Sequence, residues 1–165
     1  YSSGSNVAAS FNAIPLELSD SIIQPSSFWS KKVWLQNGCL QDGFHFGFDW
    51  EWFLRAKNNT IPFYSITKPI SLYRIHEAHK TGIGGKQRQE ELLKIYEIYS
   101  PKYARLYELV RTENFDFNFV EKLLYRICKM FYKKEFSQIH FFKILNYNKY
   151  KMYSVEEINS IKGML

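Results

Sequence analysis

Residues 46–55 have the sequence Phe-Gly-Phe-Asp-Trp-Glu-Trp-Phe-Leu-Arg, in which two acidic residues stand among aromatic ones. We predict a helix from Asp49 to Lys57. Asp49 lies in the first turn, where a negative charge interacts favourably with the helix dipole, and Asn58-Asn59 ends the helix. The loop before this helix contains Gly43 and Gly47.

Asp49 and Glu51 are the first candidates for chemistry. They are two positions apart, and helical residues at this spacing do not share a face, so we do not expect a paired dyad. One of them can act as a general base, which must lie within reach of the proton it removes, while the other has a structural role. Alternatively, Asp49 is only a first-turn acid that stabilises the helix by about 0.5–2 kcal/mol.

Other helices are predicted on both sides of this segment. Ser30 is a suitable N-cap for a short helix from Lys31 to Gln36. A longer helix is predicted from Lys86 to Tyr99, with its apolar side chains on one side. The segment 154–157, Ser-Val-Glu-Glu, resembles a capping box and opens a last short helix.

Two strands are predicted between these helices, Ile61 to Ile66 and Pro69 to Ile75, because both segments are rich in β-branched and aromatic residues. Strands followed and preceded by helices predict an α/β fold with few strands and a helical tail. The pattern becomes helical and the charge becomes basic near Pro101. We therefore divide the chain into residues 1–100 and a helical, basic extension, residues 101–165.

A second candidate site is the loop 73–82, Tyr-Arg-Ile-His-Glu-Ala-His-Lys-Thr-Gly, which follows the second predicted strand. Loops at strand ends often carry binding residues. His76 is able to ligate a metal, and Arg74 and Lys80 are able to bind a diphosphate. The simpler alternative is an ordinary polar loop.

The charge of the chain is concentrated in its last third. The 165 residues carry a net charge of +6, and residues 101–165 hold 12 Lys and Arg against 7 Asp and Glu, a net of +5. An amphipathic helix in this segment is predicted from apolar residues at steps of three and four, namely Phe117, Val120, Leu124, Ile127 and Phe131. A basic tail of this kind either is a solvated helix face or contacts anionic lipid or nucleic acid. We favour the solvated face, and no nucleic-acid-binding motif is found.

The composition excludes several classes of protein. Hydrophobic residues make up 45% and charged residues 23%, which is typical of a globular protein. Cys39 and Cys128 form neither a zinc pattern nor a disulfide framework, which favours a reducing, cytoplasmic setting. No apolar run approaches the roughly 18–20 residues of a membrane span, so any membrane contact is predicted to be peripheral, at the inner face.

Taken together, four segments resemble the second half of family 2 glycosyltransferases with a GT-A-type fold. Residues 23–33 are similar to the segment that precedes a short helix in that family, and Asn37 to Gly43 resembles the loop that follows. Phe46 to Arg55 resembles the family's Asp-Tyr-Asp-Leu-Trp-Leu-Arg helix start. Lys68 to Thr81 resembles its closing strand and its Tyr-Arg-x-His-x-x-x-Lys-Thr loop. The likeness covers about residues 22–85.

The resemblance implies catalytic and donor-binding roles. Asp49 takes the place of the base that removes the acceptor's proton in inverting members, with Glu51 as the alternative. His76 takes the place of a histidine near the metal and the donor diphosphate, and would itself be a metal ligand. Arg74 and Lys80 would support the diphosphate.

The resemblance also implies an acceptor pocket shaped by Trp50 and Glu51, with Gln24 as a further acceptor contact. It implies Mg²⁺ or Mn²⁺ as the cofactor. One departure is Phe48, where many members carry Glu before the catalytic Asp, so the choice between Asp49 and Glu51 stays open.

A larger departure is that the 165 residues contain no Asp-x-Asp metal motif and no nucleotide-binding half. We therefore expect a missing N-terminal half, without which these residues are inactive. The resulting hypothesis is a fragment of a glycosyltransferase that moves a sugar from a nucleotide-diphosphate sugar to a saccharide or lipid-linked acceptor. The alternative is a non-catalytic interaction module that keeps the acceptor half of the fold.

Overall fold

The computed structural model describes residues 14–66, 70–71, 84–132 and 136–165. The chain forms two units, Tyr1–Ala104 and Arg105–Leu165.

Three helices and one short turn form the described part of the first unit. A 3₁₀ turn spans Gln24–Ser26, α1 spans Lys31–Asn37, α2 spans Phe48–Asn58 and α3 spans Gly85–Tyr99. The predicted cap of α1 is confirmed, because the Ser30 hydroxyl accepts a hydrogen bond from the backbone N–H of Val33. Helix α1 ends at Gly38, whose φ of 79° lies in the region that favours glycine.

The core of the first unit lies between α2 and α3. The Trp50 ring meets the Tyr96 ring edge-on, with centroids 4.9 Å apart, and the Tyr96 hydroxyl donates to the carbonyl of Leu18. The buried apolar side chains of this core include Trp50, Phe53, Leu54, Leu92, Ile95 and Tyr96. Burial of this aromatic surface is the main stabilising term of the unit.

The predicted α/β, GT-A-like fold is wrong for the part of the chain that is described. Helices hold 63% of those residues, and none of them lies in a strand. The predicted strand Ile61 to Ile66 is an irregular segment: Thr60 before it has a φ of 56°, and the N–H of Ile61 bonds back to the carbonyl of Ala56. Pro62 has no N–H to offer a neighbouring strand. Most of the second predicted strand, 69–75, falls on 67–69 and 72–83, outside the described residues.

The second unit is built from helices. Helix α4, Pro101–Thr112, contains the division between the units, and α5 (Phe119–Tyr132), α6 (Gln138–Leu145), α7 (Tyr147–Tyr150) and α8 (Val155–Met164) follow. The predicted capping box at Ser154 and Glu157 is confirmed, and Ser137 and His140 form another at the start of α6.

Helix α6 packs on α8, and the two bury Phe142, Ile158 and Ile161. By contrast, α5 buries none of its residues fully. Among the helices that can be described, none has the length and apolar character needed to cross a membrane.

Candidate functional site

The loop that leads into α2 is fixed by one buried carboxylate of α3. Oε2 of Glu91 accepts hydrogen bonds from the backbone N–H groups of His45 and Phe46, at 2.8 and 2.7 Å. Backbone donors to a buried carboxylate make strong, charge-assisted bonds. The start of α2, and with it Asp49, is therefore held against α3.

Two glycines let the loop and the helix approach each other closely. A Cβ atom at Gly47 would lie 2.5 Å from Cδ1 of Ile95, and one at Gly84 would lie 2.9 Å from the ring of Phe46. Neither position has room for a side chain without movement of its neighbour. Gly47 and Gly84 thus allow the packing that places Asp49.

Asp49 lies in the first turn of α2 and is partly exposed. Its Oδ1 accepts a hydrogen bond from the backbone N–H of Trp50 at 3.0 Å. The carboxylate thus has the position of a first-turn acid, in a residue that is partly exposed. Both interpretations of Asp49 that the sequence leaves open are compatible with this placement.

Asp49 has a second carboxyl group as a neighbour. Asp20 is an exposed residue whose carboxyl group is nevertheless partly desolvated. The pKa of Asp20 is raised from 3.8 to about 7. Burial of the carboxyl group is the largest cause and the charge of Asp49 is the next, while Arg88 of α3 acts to lower the pKa. Two carboxyl groups and a guanidinium thus interact at the start of α2. Groups whose pKa values lie near neutrality are suited to proton transfer.

Glu51 is placed quite differently. It is buried, and its two oxygens accept hydrogen bonds from Nε and Nη2 of Arg55, both at 3.0 Å. The Tyr99 hydroxyl donates to Oε1 of Glu51 at 2.6 Å, and burial together with this carboxylate raises the pKa of Tyr99 well above its usual range. Arg55 also donates to the carbonyls of Asn37 and Cys39. Glu51 therefore joins α1, α2 and α3 in one polar network.

The two residues expected to contact the acceptor differ in their exposure to solvent. Trp50 is fully buried, and its Nε1 donates to the carbonyl of Leu16 at 2.8 Å. This placement suits core packing and leaves no ring face for a sugar. Gln24 is exposed in the 3₁₀ turn.

An aromatic surface that the sequence did not single out lies at α1. The Trp29 ring packs on Trp52 with centroids 4.8 Å apart and on Trp34 at 6.3 Å. Trp29 and the neighbouring Phe28 are exposed. Exposed rings held in place by other rings can stack on a ligand.

Arg74, His76 and Lys80 lie in the segment 72–83, outside the described residues, so their roles stay predictions. Within residues 14–66, 70–71, 84–132 and 136–165, no three His, Cys, Asp or Glu side chains converge on a point where a metal ion could be held. These residues alone do not make up the expected Mg²⁺ or Mn²⁺ site.

Sequence reasoning also missed Asp20, Arg88 and Glu91. Asp20 stands in a loop segment with scattered apolar residues, and Arg88 and Glu91 look like ordinary charged residues of a surface helix. Only the packing of α3 against the 43–47 loop gives them a special environment. No local pattern carries that information.

No family of known proteins matches this chain, and no curated protein or solved structure is significantly similar to it.

Proposed function

We propose that the chain contributes the acceptor-side catalytic residues of a glycosyltransferase, which transfers a sugar from a nucleotide-diphosphate sugar to a saccharide or lipid-linked acceptor. The observation that carries the proposal is the contrast between the two candidate carboxylates. Asp49 is partly exposed beside a second ionisable carboxyl, whereas Glu51 is buried and bonded to Arg55 and Tyr99. This contrast favours Asp49 as the base.

In the proposed reaction, the acceptor hydroxyl gives its proton to the Asp49 carboxylate. The acceptor oxygen forms a bond to the anomeric carbon of the donor sugar as the bond from that carbon to the diphosphate oxygen breaks. The nucleoside diphosphate leaves with the electron pair of the broken bond. General-base assistance of this kind typically contributes 10²–10⁴-fold to a rate.

Asp20 and Arg88 support this role of Asp49. Below a pH of about 7 Asp20 keeps its proton and adds no negative charge beside Asp49. The Arg88 guanidinium interacts favourably with negative charge at the same place.

The donor side of the proposal rests on the sequence resemblance alone. Arg74, His76 and Lys80 would bind the diphosphate, and a nucleotide-binding segment that is not contained in these 165 residues would supply the rest, including an Mg²⁺ or Mn²⁺ ion. No step above uses a metal. Two free cysteines, Cys39 and Cys128, fit the cytoplasmic setting that the proposal includes.

The experiment is a transfer assay on the full-length protein that contains these residues. Uridine, guanosine and thymidine diphosphate sugars are each supplied with a mixed saccharide and lipid extract as acceptor, and release of the nucleoside diphosphate is measured. We expect release from at least one donor, and we expect it to rise at least tenfold when acceptor is added. No release from any donor would overturn the proposal and favour the non-catalytic interaction module.

A further inference from the structure

Helix α5 exposes a continuous apolar stripe. Seven large apolar side chains of this helix are open to solvent, namely Phe119, Val120, Leu123, Leu124, Ile127, Met130 and Phe131. At 3.6 residues per turn, these positions fall within an arc of about 140°. Phe119, Met130 and Phe131 are the most open of them, at 79–83% exposure. Such a stripe is normally buried against another surface.

The opposite side of α5 already has its partners within the second unit. The Tyr125 ring stacks on Phe136 at 6.2 Å and packs on Phe141 at 5.8 Å, and Tyr132 stacks on Phe136 at 5.2 Å. At the N-terminus, Asn118 and Glu121 exchange hydrogen bonds between side chain and backbone, which caps the helix. The unit therefore holds α5 by its aromatic side and turns the apolar stripe outward.

Basic side chains run along one border of the stripe. Lys122, Arg126 and Lys129 occur at steps of three and four, so they share one side of α5. Lys133 and Lys134 follow the helix in the sequence, and residues 101–165 carry a net charge of +5. A row of cations beside an apolar stripe matches the headgroups and acyl chains of an anionic lipid surface.

The length of α5 decides how it would meet a membrane. Fourteen residues form a helix of about 21 Å, which is shorter than the roughly 30 Å of a hydrocarbon core. A helix of this length, with charges along its border, lies in the interface with its axis parallel to the membrane. The long side chains of Lys and Arg can then extend from the apolar boundary to the phosphates.

We infer that α5 is a peripheral membrane-binding helix, which inserts its apolar stripe into the headgroup region of anionic bilayers. This inference does not depend on the proposed transferase activity. A second copy of the chain is a poorer occupant, because residues 119–132 contain a single acid, Glu121, and so offer no anionic border to a facing row of cations. The sequence pattern favoured a solvated helix face. That prediction fits the basic border of α5 but not its apolar stripe.

The test is co-sedimentation of the 165-residue chain with vesicles of phosphatidylcholine containing 30% phosphatidylserine. The test variant is Met130→Glu/Phe131→Glu, and the matched control is Tyr147→Glu/Met152→Glu, which changes two exposed side chains of the same unit outside α5. Because all four side chains are exposed, folding is expected to survive in both variants, and circular dichroism checks it. Sedimentation equilibrium without lipid reports self-association.

We expect the wild type and the control to bind these vesicles within twofold of each other, and the α5 variant to bind at least tenfold more weakly. Lys122→Gln/Lys129→Gln should lose at least fivefold on anionic vesicles. The fluorescence emission of Leu123→Trp should shift to shorter wavelength when vesicles are added. Equal binding by the α5 variant, or no binding by the wild type, would overturn the inference. The inference would also be overturned if the wild type self-associates without binding vesicles and Met130→Glu/Phe131→Glu abolishes that self-association.

Discussion

Oε2 of Glu91 accepts a 2.7 Å hydrogen bond from the backbone N–H of Phe46, so that α3 fixes the loop from which α2 and Asp49 emerge. The same oxygen also accepts from His45. A side chain 45 positions away in the sequence thus sets the position of the candidate base. The stability of the first unit and the geometry of the site are linked through this contact.

Glu91→Ala removes the acceptor of both backbone N–H groups. We expect the free energy of unfolding to fall by about 1.5–3 kcal/mol, because a hydrogen bond to a charged acceptor contributes about that much and the two donors are only partly buried. Urea denaturation followed by tryptophan fluorescence measures the change. Glu90→Ala is the control, since Glu90 is an exposed neighbour with only a 3.7 Å pair to Lys86, and it should change stability by less than about 0.5 kcal/mol. Equal losses for both variants would show that the loop is not fixed by Glu91.

Gly47→Ala tests the close approach of the loop to α3. The new Cβ would lie 2.5 Å from Cδ1 of Ile95, so we expect a loss of about 1–3 kcal/mol in the free energy of unfolding. Ile95→Val removes that Cδ1 atom. The double variant should therefore be more stable than the sum of the two single losses implies. Gly43→Ala is the control, because a Cβ there meets no atom within 4 Å. Strict additivity in the double variant would contradict the proposed contact.

Local signals predicted the helices well and the strands badly. Ser30, together with the Ser154 and Glu157 pair, marks helix starts through bonds to residues three positions away, which a sequence shows directly. A strand needs a partner strand. Ile61 to Ile66 has the composition of a strand, but it has no partner strand among the described residues. Its Pro62 also lacks the N–H for a ladder.

The candidate site was predictable only in part. Asp49 could be singled out from its place at a helix start. The i,i+4 spacing of Glu51 and Arg55 is visible in the sequence and is compatible with an ion pair, but the bond from Tyr99 comes from another helix and leaves no local signal. The Asp20 environment likewise arises from tertiary packing.

The pKa of Asp20 should respond in opposite directions to its two charged neighbours. Asp49→Asn removes a negative charge, so the pKa of Asp20 should fall below its value of about 7, and Arg88→Gln should raise it. NMR titration of the Asp20 side-chain carbonyl measures both shifts. If neither variant moves this pKa, the three groups do not form one site.

The raised pKa of Asp20 also predicts a dependence of stability on pH. Between about pH 4 and 7 the folded state holds a proton on Asp20 that the unfolded state has lost, so this contribution to stability is present at low pH and disappears as the pH rises through about 7. Asp20→Asn cannot ionise and should lose this dependence. Urea midpoints of the two proteins at pH 5 and pH 8 provide the comparison, and identical pH profiles would refute the prediction.

Tyr99→Phe tests the structural role of Glu51. It removes the 2.6 Å bond to a buried carboxylate, so we expect the free energy of unfolding to fall by about 1.5–3 kcal/mol. Tyr64→Phe changes an exposed tyrosine and serves as the control, with an expected change below about 0.5 kcal/mol. A loss of transfer activity without any loss of stability would instead place Glu51 and Tyr99 in the reaction.

The most direct measurement is the transfer rate of Asp49→Asn, in the full-length protein and at saturating donor, compared with Asp42→Asn. Asp42 is an exposed carboxylate in the preceding loop, so its variant controls for the loss of one negative charge. We predict that Asp49→Asn falls below a tenth of the wild-type rate, while Asp42→Asn stays within twofold and both proteins remain folded. A near-normal rate for Asp49→Asn would contradict the role of Asp49 as the base.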